Sequence, residues 1–487
     1  MRIGIVGAGH VGAVCGVCLS SIEHDVMVID VDRGRIDKLR SGAAPFVEPG
    51  LGTLLERSLA TGRLSFDVDA EALSNVDVVF LCVNTDSGPD GSVDLSPLES
   101  AVSTVAALEG SNPVLVNRST APVGTAEYIR SVTAELRGSA MRVAVNPEFL
   151  AEGTAIRDFL RPDRILIGAF DDDSVSTLAE LYEPIVRGRL PAAVRSVAGA
   201  PRNDEPVPFL VCDPASAELA KYAANSMLAV KISFINEISA IAEQVGADVT
   251  KVADAVGLDE RIGKHFLRAG IGWGGSCFPK DIVALQGMAE TRGLTARMLR
   301  AANDINGEQR TWVTRTLHAH FKTLFGRRVG LLGLGFKPGT DDLRNAPALE
   351  IAAQLAKANV RVKAFDPVVR SVPPAYRDQV EIVDGPEDLA RGSDALVVVT
   401  EWPEFRDLDL GRLGRLMRTP LLLDGRNLFD PAAATSAGLA YVGVGRGGLH
   451  DAATHAAGTT GSDGGSAGGR SSASDDRVVV EEASDVA

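Results

Sequence analysis

The chain has 487 residues, with 64 Asp and Glu against 49 Lys and Arg and a formal net charge of −15. That length exceeds one ordinary core and predicts two or three domains, while the acidic balance argues against a nucleic-acid partner, whose phosphates call for a basic face. Five scattered cysteines predict no disulfide framework, no apolar run is long enough for a membrane span, and the N-terminus reads as a strand rather than a signal peptide, so the expected setting is the cytoplasm.

The first twelve residues, Met1-Arg-Ile-Gly-Ile-Val-Gly7-Ala-Gly9-His10-Val11-Gly12, run from an apolar strand into G-x-G-x-x-G and an apolar helix; a second strand then ends at Asp30. This is the βαβ dinucleotide fingerprint. Gly7 permits the tight turn, Gly9 lets a pyrophosphate approach, and Gly12 lets helix and strand pack closely. Asp30 would take the ribose hydroxyls of NAD and repel the extra phosphate of NADP, with Arg35 along the adenosine side. Cys15 and Cys18 fall on the first helix, where packing accounts for them better than metal or redox chemistry, and no metal site is expected. Buried strands follow at 76–83, 113–117, 141–145 and 164–168, with helical stretches between most of them, so the first domain is expected to span 1–198.

Residues 199–208 read as a loop, and 213–325 as a helical domain opening with a long amphipathic run from Ala215 to Val245. Lys221 and Asn225, spaced i, i+4, share one face of that helix; together they could stabilise an oxyanion, or the lysine could simply be solvated. Further on comes Gly274-Gly275-Ser276-Cys277-Phe278-Pro279-Lys280-Asp281. Two glycines allow close approach to a ligand, Ser276 is a plausible N-cap, and Pro279 is tolerated in a first helical turn. Cys277 would then sit where the helix dipole and Lys280 favour thiolate, with Asp281 on the same face. A nucleophile and a buried structural cysteine are both compatible with that placement. Residues 326–446 repeat the α/β pattern from Arg328, with Gly333-Leu-Gly335-Phe336-Lys337 as a second glycine-rich strand end lacking the third glycine; this half is expected to bind a different nucleotide, with Lys337 and Arg344 as local cations. The segment 447–487 is rich in Gly, Ser, Ala and Asp and is expected to be disordered.

Over residues 1–446 the chain resembles the UDP-glucose/GDP-mannose dehydrogenase family. The resemblance rests on Gly7-Ala-Gly-His-Val-Gly12, Val83-Asn-Thr85, Ser119-Thr120-Ala-Pro-Val123, Asn146-Pro-Glu148-Phe149-Leu150-Ala-Glu152-Gly, Lys221-Tyr-Ala-Ala-Asn225, the Cys277 segment, Gly335-Phe336-Lys337 and Asp424-Gly-Arg426. It implies an α/β protein with two Rossmann-like doubly wound domains joined by a long central helix and a helical segment. The implied reaction is a two-step oxidation of UDP-glucose to UDP-glucuronate, consuming two NAD through a thiohemiacetal and a thioester on Cys277. GDP-mannose or UDP-N-acetylmannosamine are the alternative substrates, and a non-catalytic nucleotide-sugar-binding protein is the alternative of another class. By the same resemblance the catalytic set is Cys277, Lys221, Asn225, Asp281, Glu148 and Thr120. NAD contacts fall to Gly7, Gly9, His10, Val11, Gly12, Asp30, Arg35, Thr85, Thr120, Glu152, Lys280 and Arg344. Sugar-nucleotide contacts fall to Glu148, Phe149, Leu150, Lys221, Asn225, Gly274, Cys277, Phe336, Lys337 and Arg426. Arg261 is implied to cross the interface of a homodimer, or of a higher assembly of dimers, into the partner's site.

Overall fold

The computed structural model describes residues 1–88, 90–108, 112–199 and 206–447. The tail expected to be disordered lies outside the described residues from 448 onward, as do 200–205 of the 199–208 loop.

The apolar runs become two separate sheets. The first holds β1 (Arg2–Val6), β2 (Asp25–Ile29), β3 (Leu64–Asp67), β4 (Val78–Leu81), β5 (Val114–Asn117), β6 (Arg142–Val145), β7 (Ile165–Ala169) and β8 (Phe209–Cys212), in the order β3-β2-β1-β4-β5-β6-β7-β8. The second holds β9 (Arg328–Leu332), β10 (Arg361–Phe365), β11 (Glu381–Ile382), β12 (Ala395–Val398), β13 (Leu421–Asp424) and β14 (Ala440–Gly443), in the order β11-β10-β9-β12-β13-β14. The second sheet and the first six strands of the first thus share one doubly wound order, reversing beside their first strand. Alternate residues of β4 serve opposite faces: Val78 and Phe80 join the core that contains Ile3 and Ile5, and Val79 and Leu81 join the core that contains Leu98 and Leu115. Strands buried on both faces explain why their sequences are nearly continuous in apolar residues.

Two features of the first sheet depart from the sequence reading. It runs past residue 198 to take in the edge strand β8, and β7 lies antiparallel to β6. The segment between β6 and β7 holds only the short helix Ala155–Leu160, so the chain turns back rather than crossing over as a parallel pair requires.

Between the sheets runs the helix Pro214–Val245, 32 residues and therefore about 48 Å long. It starts where Asp213 accepts a hydrogen bond from the Ser216 N–H and Pro214 fills the first turn, and it stops at Gly246, whose φ of +72° suits glycine. Ser233 Oγ on this helix donates to Ala302 O and accepts from Trp273 Nε1, which ties the helical segment to it. Among the described residues no helix is long and apolar enough to cross a membrane.

Candidate active site

The fingerprint loop is shaped by contacts within the protein and leaves one side open. A Cβ at Gly7, where φ is +100°, would lie 2.4 Å from Cys82 O, and one at Gly12 would lie 1.8 Å from Gly7 O; at Gly9 it would meet nothing within 4 Å. Only Gly9 therefore keeps its space for a ligand. Asp30 Oδ2 accepts from the Ala8 N–H at 2.6 Å and from Arg35 Nη1 at 3.0 Å, and Oδ1 accepts from the Asp32 N–H at 2.8 Å, so the acidic end of β2 is held beside the loop with one lone pair on Oδ1 to spare. His10 stacks on Phe46 and points Nε2 at Glu48, 3.2 Å away. Glu48 also accepts from the Gly153 and Ala155 N–H groups and so pins the glutamate-rich segment after β6 to the fingerprint. Thr85 Oγ1 donates to Thr120 O at 2.6 Å, joining the ends of β4 and β5.

At the carboxyl end of β6, Glu148 meets the long helix. Lys221 Nζ donates to Glu148 Oε1 at 2.8 Å, with both side chains under a tenth exposed, and the Leu150 N–H donates to Oε2 at 2.7 Å. Burial alone would raise the Glu148 pKa, but the Lys221 ammonium and these hydrogen bonds outweigh it and hold the carboxyl below its usual range. Burial likewise works against the Lys221 charge, yet Glu148, Cys277 and Asp281 keep its pKa above normal. Phe149 lies under both Lys221 and Arg164. Beneath Glu148, Asn146 accepts hydrogen bonds from the buried Arg118 and from Tyr182 Oη, and it donates to Leu166 O.

One turn further along the long helix, Asn225 Nδ2 donates to Asp281 Oδ2 at 2.6 Å, while Lys280 Nζ donates to Oδ1 at 2.7 Å. Cys277 is itself the N-cap of the helix Phe278–Glu290, without a side-chain cap. Ser276, expected as the cap, instead donates to Glu152 Oε1 and lies 3.6 Å from the Cys277 sulfur. The expected thiolate is also corrected. Burial pushes the Cys277 thiol up and Glu148 adds to the rise, against the pull of Lys221; Lys280 is engaged by Asp281. The balance of these influences favours the thiol over the thiolate at Cys277.

The two glycines before it have a structural reason the sequence did not suggest. A Cβ at Gly274 would fall 2.2 Å from Asn345 O, and at Gly275 2.7 Å from the Phe336 ring. They let the cysteine loop press against the second sheet's loops. Arg426 closes the same joint, donating from Nε to Val399 O and from Nη1 to Gly272 O. Lys337 lies close enough to feel Glu152, Asp158 and Cys277, and burial lowers its pKa below the lysine norm in spite of them. Glu152 accepts from Ser276, Thr340 and Arg344, one group from the cysteine loop and two from the second sheet's loops. Burial, then Asp342, raises its pKa. Arg261 stands apart, 88% exposed and forked onto Asp259.

Glu218 was missed in the sequence. It is 4% exposed and accepts from the Gly124 and Ala126 N–H groups at 2.7 and 2.8 Å, fastening the Thr120 loop to the long helix. With Thr120 and Lys221 it lines a cavity of about 10 Å³, the size of one water. Its place three residues before Lys221, on the same helical face, was the available signal.

Comparisons with known proteins agree over most of the chain. Residues 1–186 match the NAD binding domain of the UDP-glucose/GDP-mannose dehydrogenase family, 215–308 its central domain and 330–431 its UDP binding domain. A UDP-glucose 6-dehydrogenase of Pseudomonas aeruginosa is 42% identical over 459 residues, covering 92% of this chain and 98% of the relative. Another from Bacillus subtilis is 40% identical, covering 92% and 98%. The solved UDP-glucose dehydrogenase of Pyrobaculum islandicum superposes with a TM-score of 0.80 at 36% identity, covering 91% of this chain and 97% of its own. The chain belongs to the UDP-glucose/GDP-mannose dehydrogenase family.

Proposed function

We propose that this protein is a UDP-glucose 6-dehydrogenase, oxidising the sugar C6 alcohol to a carboxylate in two NAD-dependent steps, in the cytoplasm. One observation carries the covalent scheme: a half-buried thiol, Cys277, stands among a charged Lys221–Glu148 pair and an Asn225–Asp281 pair. An enzyme that stopped at the aldehyde would have no use for that thiol. NAD fits the fingerprint loop, because Gly9 is open and Asp30 beside it keeps a lone pair on Oδ1; when bound, it takes up the hydride of each oxidation.

The remaining chemistry falls to the chain itself. In the first oxidation the C6 hydroxyl proton leaves toward Asp281, directly or through a water at the Thr120–Lys221 cavity, as the hydride leaves carbon. The Cys277 sulfur then bonds to the aldehyde carbon and its proton passes to the oxygen, giving a thiohemiacetal. Lys221 and Asn225 stabilise the oxyanion that forms as the second proton and hydride depart to leave a thioester. Glu148, held as a carboxylate, draws a proton from water; the water oxygen bonds to the acyl carbon, the C–S bond breaks, and the thiol is restored.

Lys337, whose amine burial makes costly to leave uncompensated, suits the diphosphate, with the Phe336 ring beside it. Along the long helix Leu219, Met227, Phe234, Ile241 and Val245 are each between 46% and 69% exposed, an apolar stripe that suits a second copy of this chain. Such a homodimer would bring Arg261 of one copy to the other's substrate. The test is the yield of NADH per UDP-glucose run to completion with excess NAD. A ratio near two is expected for the two-step scheme. A ratio of one would reduce the protein to an alcohol-to-aldehyde enzyme, and turnover only with GDP-mannose or UDP-N-acetylmannosamine would move the substrate assignment.

A further inference from the structure

Beside the cysteine segment, whose Trp273 and Pro279 help to line it, a cleft of about 650 Å³ opens between the end of the helix Arg297–Gln309, the 342–346 loop and the helix Pro347–Lys357. That volume is within the usual range of small-molecule sites. It is lined by Arg310 and Arg344, by Asn303 and Asn306, by Ala353 and Tyr376, and by two carboxylates: Glu350, and Asp342, which Arg344 already engages. Cys277, Lys221, Glu148, Lys337 and Arg426 are not among its lining residues, and only Arg344 is shared with the side expected to face NAD.

Arg310 is 5% exposed, yet its Nε and Nη1 have no hydrogen-bond partner. The carboxylate at ion-pair range is Glu350, 3.9 Å from Nε and itself half exposed. Burial, with Arg426 adding repulsion, pushes the guanidinium down to about 10. An uncompensated buried cation is costly, and a guanidinium with unpaired N–H donors at the lining of a polar cleft invites an oxyanion.

We propose that this cleft is a binding site for a small oxyanion, a carboxylate or a phosphate, held by the free Arg310 donors and the neighbouring amides. The ligand would bear on the catalytic loop. Arg310 Nη2 donates to Trp273 O and Asn345 O, Asn306 accepts from the Trp273 N–H at 2.8 Å, and the Gly275 N–H donates to Arg344 O at 3.1 Å. The cleft and the segment leading to Cys277 therefore share one hydrogen-bonded frame.

The test titrates the full-length protein with inorganic phosphate and, separately, malonate, against sodium chloride of matched ionic strength. Saturating UDP and NADH are present throughout, so that the nucleotide sites are occupied. Melting temperature and tryptophan emission are read together. A saturable rise in melting temperature, with an emission change of the same midpoint, is expected, and whichever anion acts at the lower concentration identifies the chemistry. Arg310→Gln is expected to weaken the response at least ~tenfold. Ala353→Trp, which fills the cleft without removing a contact of Arg310, is expected to abolish it. No response to either anion, a response that appears only when UDP and NADH are omitted, or one unchanged in Ala353→Trp would overturn the site.

Discussion

Replacing Lys221 by Met tests whether the Lys221–Glu148 pair is a charged, desolvated unit. The two side chains are 4% and 7% exposed and meet at 2.8 Å. Removing the ammonium leaves the Glu148 carboxylate buried with only the Leu150 N–H and the more distant Arg118 to support it. Breaking a buried pair from one side costs about 3 to 5 kcal/mol. At roughly 2 °C or more per kcal/mol for a domain of this size, the melting temperature should fall by about 6 °C at least. Turnover should be lost as well. The double variant Lys221→Met/Glu148→Leu removes both charges and should recover much of the stability, but no activity. Thermal melts of the three proteins, followed by circular dichroism alongside an NADH assay, make the comparison. A single variant that melts with the wild type would refute the reasoning, since it would mean that Glu148 is already neutral or solvated.

The pH dependence follows from the same two shifts. Glu148 has its pKa lowered by folding, so its contribution is present above the unfolded value of about 4.3 and is lost as pH falls through the lower folded value. Lys221 has its pKa raised, so its contribution is full below about 10.4 and is lost as pH rises through the higher folded value. The stability difference between the wild type and the double variant should therefore be flat across the neutral range and decline at both ends.

Three other outcomes are expected. Cys277→Ala should form no sugar acid while binding NAD as the wild type does, by calorimetry; sugar-acid formation at the normal rate would sink the covalent scheme. Because burial holds the Cys277 thiol up, inactivation of the apoprotein by iodoacetamide should keep accelerating with pH beyond the ordinary thiol value of about 8.5, and a plateau near neutrality would show a thiolate instead. Glu218→Ala strips the acceptor from two N–H groups at the start of the helix Thr125–Arg137. It should cost about 2 kcal/mol and lower kcat with little change in the KM for NAD, whereas an equal fall in both folded fraction and rate would leave Glu218 a purely structural clamp.

Residues whose job is local could be read from the chain. The run from Arg2 to Gly12 states its strand, turn and helix in consecutive letters, and Pro214 to Gly246 carries its own start and stop signals. Short edge strands such as β3, β8 and β11 escaped notice, because two to four residues are too few for a period to show and pairing with a neighbour decides them. The same limit applies to the polar network. Glu218, Glu48 and Arg310 gain their meaning from N–H and C=O groups many tens of residues away, and such partners leave no mark in local spacing.

The Cys277 thiol shows what spacing leaves out of a local electrostatic argument. A first-turn cysteine near a lysine ought to ionise if nothing else surrounds it. In the folded protein Lys280 is claimed by Asp281, and the helix end is closed over by Phe336 and Asn345 packed on the two glycines. Desolvation then outweighs the dipole. In the proposed scheme the thiol gives up its proton to the aldehyde oxygen as the C–S bond forms, so a raised thiol pKa is compatible with covalent capture.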